Sequence, residues 1–449
     1  MDSGKRFSPA HPRSSSLRAT HIMFWYQIFS DGVEYEARAG KPFVPPDITI
    51  KQVWEAVPKH LFKKSTTKSL FYIARHLLIT YLFYVFAQNI DQIVASAGGT
   101  SLAKQLLKAF CWTGYWCFQG FAFAGLWCIG HDAGHGALSD YGIVNDIIGL
   151  VLHALVLTPY HAWRFTHRAH HKATQSLERD ETFMPFTRKD FKLPDGKVAV
   201  RMDYTEILEE TPAFTLFKLF VRQFFGFQLY LLHNRKGNRR YPPYTSHYRP
   251  SSQLFKPSER PAIILSNISL VVMYSLITLY IKHYGWGHAM RYYFMPWFFQ
   301  HNWMVMFTYL QHSDPTIPYY RKNEWTFVRG ALATVDRPVF GWVGRLLLYN
   351  IASDHLAHHF FSTIPFYNLP EVTKAIKPVL GEYYNYDSTG VIAALWRSFT
   401  QCVFIEDEGD ILFYKNRGGE AITDVDEKVK AKLNGKPVDG AGQEEMIVD

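Results

Sequence analysis

The chain has 449 residues, 48% of them hydrophobic and 16% aromatic, and a formal charge of +9 at neutral pH. Length alone suggests two or three soluble domains, but the apolar residues gather into runs approaching the roughly 20 residues that a helix needs to cross a bilayer, which argues for one membrane-embedded unit. Cys111, Cys117, Cys128 and Cys402 show no CxxC spacing, against a thiolate metal site or a disulfide framework, and no motif favours nucleic acid.

Residues 1–43 form a polar N-terminal segment, and 1–20 are rich in Ser, Arg and Pro without an apolar stretch, so no cleaved signal peptide is expected. The first apolar window covers 70–90; Arg75 and His76 within it are placed to reach the interface. A second covers 110–130 and is followed at once by "HDAGH", with His131 and His135 four apart. The apolar piece 143–159 is too short to cross comfortably and is expected to be buried or re-entrant. Next comes "FTHRAHHKATQSLERDE", with His167, His170 and His171. Windows three and four cover 262–281 and 292–311; His312, in "TYLQHSD", emerges directly after the fourth. "HLAHH" then supplies His355, His358 and His359. The segment 416–449 mixes charge with glycine and few aromatics, a composition expected to stay disordered.

The fold expected is all-α: a polytopic membrane protein with four transmembrane helices, interfacial helices and a cytosolic histidine-rich cap, its membrane domain spanning 44–415. Two out-and-back pairs of spans hold every histidine box at one face. Lys59, Lys63, Lys64 and Lys68 before the first span, and Arg235, Lys236, Arg239 and Arg240 between the second and third, put that face and both termini in the cytosol by the positive-inside rule. The same basic clusters suit a surface drawn to anionic lipid.

Histidines at i, i+3 and i+4 share one helix face and can aim several imidazoles at one point. A single HxxxH arises readily by chance, whereas a duplicated HxxHH beside it reads as a metal signal. Imidazole suits zinc, copper, iron and nickel alike. Eight or nine histidines exceed the three that a catalytic zinc usually takes and are enough for two metals. Two redox metals beside a membrane point to oxygen chemistry on a lipid, because an unactivated methylene has no acidic proton to remove.

"HDAGHGALSD", "HRAHHKAT" and "HLAHHFFSTIPFYN" resemble the three histidine boxes of the membrane fatty acid desaturases. With "VLTPYHAWRFTH" and "TYLQHSDPTIPYY" the resemblance is to the oleate Δ12 (ω6) and ω3 branch, fungal-like in its third box, and runs from about Val44 to Tyr414. It implies an O2-dependent desaturase that introduces a cis double bond into a C18 acyl chain, with Δ12 (oleate to linoleate) as the main reading. It implies two iron ions held by His131, His135, His167, His170, His171, His355, His358 and His359, with His312 as ninth ligand. It also implies electrons from external cytochrome b5 and its NADH-dependent reductase, a fatty acyl lipid or acyl-CoA substrate, the endoplasmic reticulum membrane and, as an option, a homodimer. Ala133, where relatives often have Cys, and Asp354 before the third box depart from common versions without removing a ligand.

Asp132, Asp180, Glu181 and Asp354 lie next to the boxes and are candidates to accept the second imidazole N–H, as carboxylates commonly do around metal-bound histidine; helix capping is the alternative role. Trp112, Trp116, Trp127 and Trp163 are assigned to packing and the interfacial belt, not to an acyl tunnel. The rival readings are ω3/Δ15 or bifunctional desaturation, a di-iron hydroxylase, epoxygenase or acetylenase, and a histidine-rich metal transporter. The transporter should carry ionisable residues in mid-span, and the windows here are nearly free of them.

Overall fold

A computed structural model describes residues 30–435; the stretch 1–20 and the last residues, 436–449, lie outside the described residues. The fold is mostly helical. The first long helix, α1 (Thr66–Gln88), starts where Ser65 Oγ accepts the Lys68 N–H at 3.2 Å. The 34-residue α2 (Ser101–Gly134) is capped by Thr100 in the same way. Next are α3 (Gly142–Leu155) and α4 (Tyr160–His171), then α5 (Pro212–His233), α6 (Arg260–Tyr284) and α7 (Met295–His312). The last three carry a proline in the first turn, where its missing N–H costs no helical bond.

Among the described residues, two helices can cross a membrane by length and apolarity: α1, and the run Pro257–Tyr284 that contains α6. The pair α3 and α4, bent by 108°, forms a broken span or a re-entrant loop, the second being the form expected for 143–159. Windows two and four are helical as α2 and α7, but Gly, Trp, Tyr and amide side chains dilute them below that standard. The physical reason is burial: from Gln119 onward α2 is enclosed on all sides, so it meets protein where α1 and α6 expose leucines, isoleucines and aromatics.

The helix directions put the histidines at one end. Gln119 and Ala122 of α2 bond Thr80 and His76 of α1, so these two helices run antiparallel. Tyr115 meets Tyr292, Gly120 lies against Phe299 and Trp127 against Phe307, so α2 and α7 run parallel. Both therefore finish on the same side, α2 at His131 and His135, α7 at His312. Ser266, early in α6, accepts the His161 N–H of α4 at 2.8 Å and brings the second box there too.

Over that end sits a cap built from α8 (His355–Phe360), α9 (Leu369–Leu380), α10 (Val391–Gln401) and two short sheets. In one, β1 (Phe186–Thr187) pairs in parallel with β3 (Phe404–Ile405); in the other, β2 (Tyr319–Tyr320) pairs antiparallel with β4 (Ile411–Leu412). A buried ion cluster ties the cap together: Arg337 binds Asp314 at 2.7 Å and also Asp387, and Arg397 binds Asp387 and Asp31. The packed unit extends beyond both expected boundaries. Tyr35 is buried beneath Arg397, and Phe43 pairs with Val425, which is buried ahead of α11 (Glu427–Asn434). Phe43, Phe413 and Val425 belong to a small apolar cluster, giving the stretch just ahead of α11 a place to dock that its composition does not reveal.

Candidate metal centre

Each box is a helix end. His131 lies in the last turn of α2 and His135 caps it; His167, His170 and His171 fill the last turns of α4; His355, His358 and His359 make up half of α8. His312 closes α7. The i, i+3, i+4 spacing thus does locally what it promised, and the parallel α2 and α7 bring the separate ends together.

The nine imidazoles gather into two groups. One ring nitrogen from each of His131, His135, His167, His171 and His358 lies within 4.8 Å of the others, and the same holds for His170, His312 and His359. His355 joins the second group, its Nε2 2.9 Å from that of His312 and 3.0 Å from that of His359. In the first group, His167 Nε2 and His171 Nε2 are 3.0 Å apart. A nitrogen–metal bond of about 2.0–2.1 Å sets neighbouring nitrogens of one metal about 3 Å apart, so these separations fit ligands of a shared ion. Nε2 of His135 and of His358 are buried with no hydrogen-bond partner, and in a dry interior such atoms call for an occupant. The donor set is therefore a histidine cluster able to bind metal, and its imidazole chemistry is consistent with iron.

The electrostatics suit ligation. Burial, with the neighbouring imidazoles His131 and His170 adding to it, pushes His358 down to about 3, and burial likewise holds His355 and His359 well below the usual histidine range. At neutral pH these rings are uncharged and present the lone pair that a metal needs.

Three of the second ring nitrogens have partners of two kinds, carboxylate and hydroxyl. Asp132 Oδ1 is 2.8 Å from His131 Nδ1, and Asp180 Oδ1 is 2.6 Å from His170 Nδ1, while Thr174 Oγ1 is 3.1 Å from His359 Nδ1. Glu181 and Asp354 touch no imidazole. Glu181 binds Arg240 and Tyr241, and Asp354 binds Arg345 at 2.7 Å. Sequence reasoning missed Thr174 and also Asp336, which is fully buried and accepts the Leu356 N–H at 2.8 Å, holding the third box from outside. Thr174 sits one turn past His170 and was within reach of a helical-spacing argument; Asp336 lies 20 residues from Leu356, and no local signal connects them.

A cavity of about 660 Å3 leads to the cluster, within the usual size range of small-molecule sites. His131, His167, His170, His312 and His355 line it together with apolar residues of α5 and α7. Trp127 and Trp163, assigned above to packing, line it. They do both: the Trp163 ring stacks on His167 at 4.4 Å, so a packing residue of a box also faces the cavity.

A model of the fatty acid desaturase family matches residues 110–390, the stretch that carries all nine histidines. The chain belongs to the fatty acid desaturase family. Members of that family are oxidoreductases acting on fatty acids. A Δ(12) fatty acid desaturase from Mortierella isabellina is 36% identical over 375 residues, covering 82% of this chain and 91% of the relative. An oleate hydroxylase from Claviceps purpurea is 35% identical over 405 residues, 84% of this chain and 83% of the relative. An omega-6 fatty acid desaturase, endoplasmic reticulum isozyme 2, from Glycine max is 36% identical over 382 residues, 84% and 94% respectively.

Proposed function

We propose that this fatty acid desaturase introduces a cis Δ12 double bond into a membrane-associated C18 acyl chain, converting oleate to linoleate with O2 and two electrons from external cytochrome b5. The observation that carries the reading is the gathering of nine imidazoles into two groups, five of the rings lining an apolar cavity. In this reading His131, His135, His167, His171 and His358 hold one iron, and His170, His312, His355 and His359 the other. Bound iron supplies the activation of O2 that breaking an unactivated C–H bond requires. The chain's own residues do the rest: Asp132 and Asp180 fix the tautomer of His131 and His170, and the aromatic wall orients the substrate and excludes water.

The same reading places the protein in the endoplasmic reticulum membrane with four spans, α1, α2, α6 and α7, and with the boxes and both termini cytosolic. It treats 44–415 as the membrane domain. The parallel course of α2 and α7 and the basic residues flanking the box-bearing end support it. A second reading, hydroxylation at the same carbon, is favoured by the oleate hydroxylase, whose identity to this chain nearly equals that of the desaturases.

The test is the fatty-acid profile of a yeast that makes only monoenes and expresses this chain. New linoleate that is lost in His170→Ala is the expected result. A hydroxy acid in its place moves the assignment to the second reading, and unchanged lipids despite good expression refute both.

A further inference from the structure

Among the described residues, two cations of the cavity wall have no acidic group within salt-bridge distance. Arg222 of α5 lies over the rings of Tyr309 (4.3 Å) and Phe399 (4.7 Å), and its Nη1 is buried without a hydrogen-bond partner. Tyr309 is one turn before His312 on α7, so this guanidinium borders the approach to the metal centre. Just past the end of α5, Lys236 Nζ sits 3.3 Å from the centre of the Phe186 ring, with a long hydrogen bond of 3.4 Å to the Met184 carbonyl. Burial, reinforced by Arg222, Arg239 and Arg235, holds its ammonium well below the usual lysine range.

The nearby acids are already engaged. Glu210, the carboxylate among the lining residues, is bound by Lys218 and by Arg417 at 2.6 Å, and Asp190 is bound by Arg239. Cations taken out of water without a counter-charge are costly, and they are retained where a ligand completes them. The ligand must also suit the rest of the space. Toward the outside the cavity is lined by the exposed rings of Phe214, Phe217 and Tyr244, and inward it is apolar up to the imidazoles. That calls for an amphiphile with a long apolar chain and an anionic, oxygen-rich head.

We propose that Arg222 and Lys236 form a subsite for the anionic oxygens, phosphate or carboxylate, at the head of the acyl donor. This rests on the desaturase reading and deepens it: the methylenes of an acyl chain are chemically alike, so the place where the head is clamped decides which of them lies at the metals.

The test uses the full chain purified in detergent and needs no turnover. A 9,10-dibromostearoyl chain quenches the cavity tryptophans Trp127 and Trp163 when it binds. Four probes carry that chain: the free acid, the coenzyme A thioester, the lysophosphatidylcholine and the uncharged methyl ester. In Arg222→Gln and in Lys236→Met the half-saturating concentration should rise on the order of tenfold for the headed probe that is the donor, the loss expected for a charge-assisted hydrogen bond. It should stay at the wild-type value for the methyl ester, and Arg222→Lys should recover most of the loss. The headed probe that suffers most identifies the source of the anion. Wild-type binding of every headed probe by both variants overturns the clamp while leaving the desaturase reading intact, as does an equal loss for the methyl ester. Failure of all four probes to quench the wild-type protein overturns the clamp and the acyl-binding reading together. Unchanged melting temperature and metal content certify each variant, and Lys236→Met carries the test alone if Arg222→Gln does not accumulate.

Discussion

Asp180 and Glu181 are neighbours in sequence with different duties, and replacing each in turn separates them. Asp180 is 2% exposed; its Oδ1 is 2.6 Å from His170 Nδ1, and its Oδ2 accepts the Gln175 N–H at 2.7 Å. Asp180→Ala leaves His170 Nδ1 only Thr182 Oγ1, at 3.1 Å, and leaves the buried Gln175 N–H without an acceptor, at roughly 1–3 kcal/mol. That is a large share of the stability of an ordinary domain. It also frees His170 to turn, and loss of such a carboxylate partner typically costs about 10–100-fold in metal affinity. Asp180→Asn is the more informative variant: its carbonyl still accepts from His170, while its amide cannot accept from Gln175, so the Gln175 N–H is orphaned but the hold on His170 is kept. The expected order of iron content in purified protein is wild type, then Asn, then Ala. Glu181→Gln, whose partners are Arg240 and Tyr241, should retain wild-type iron. Elemental analysis by mass spectrometry, with a thermal melt of the same sample, measures both effects. Full iron in a folded Asp180→Ala protein would refute the positioning role assigned to this carboxylate.

Asp336→Ala removes the acceptor of the Leu356 N–H and of the Tyr384 hydroxyl, each at 2.8 Å; a loss of about 2–6 kcal/mol in stability is expected, and an unchanged melting temperature would show that the third box is held by other contacts. Gly130→Ala would bring a methyl group within 2.2 Å of the His153 ring, which itself lies against Trp127; overpacking of this kind costs about 1–3 kcal/mol, so a melt equal to wild type would show that the ring can yield. The cap should respond to acid. Burial alone would raise Asp387 and Asp314, but Arg337 with Arg397 at Asp387, and Arg337, Arg38 and Arg397 at Asp314, outweigh it and hold both carboxyls below the usual range. A depressed folded-state value stabilises above the unfolded value of about 3.9 and loses that contribution as pH falls through the folded one. The melting temperature should therefore drop progressively below about pH 4, and less steeply in Asp387→Asn; identical pH profiles for the two proteins would contradict the assignment.

What was legible in the sequence was local or compositional. The HxxxH and HxxHH spacings rest on a helical period that any few consecutive turns obey, so the three boxes, and the side of the helix each occupies, could be read directly. Runs of apolar residues marked four helices at the right places. Two of those helices proved less apolar than a lone span because neighbours surround them, and the degree of enclosure is a property of the assembled bundle.

Tertiary structure decided everything that depends on separation along the chain. The division of the nine histidines into two groups, with His358 joining the first two boxes and His359 turning toward His312, follows from the parallel packing of α2 against α7 and from the placement of α8 above them. Adjacent acids could not be told apart by position, because whether a carboxylate meets an imidazole or an arginine depends on which element lies opposite. Asp336, Arg222 and Lys236 carry no periodic signature at all. Hydrophobic periodicity is a one-dimensional record of burial; partners across tens of residues are chosen by packing in three dimensions.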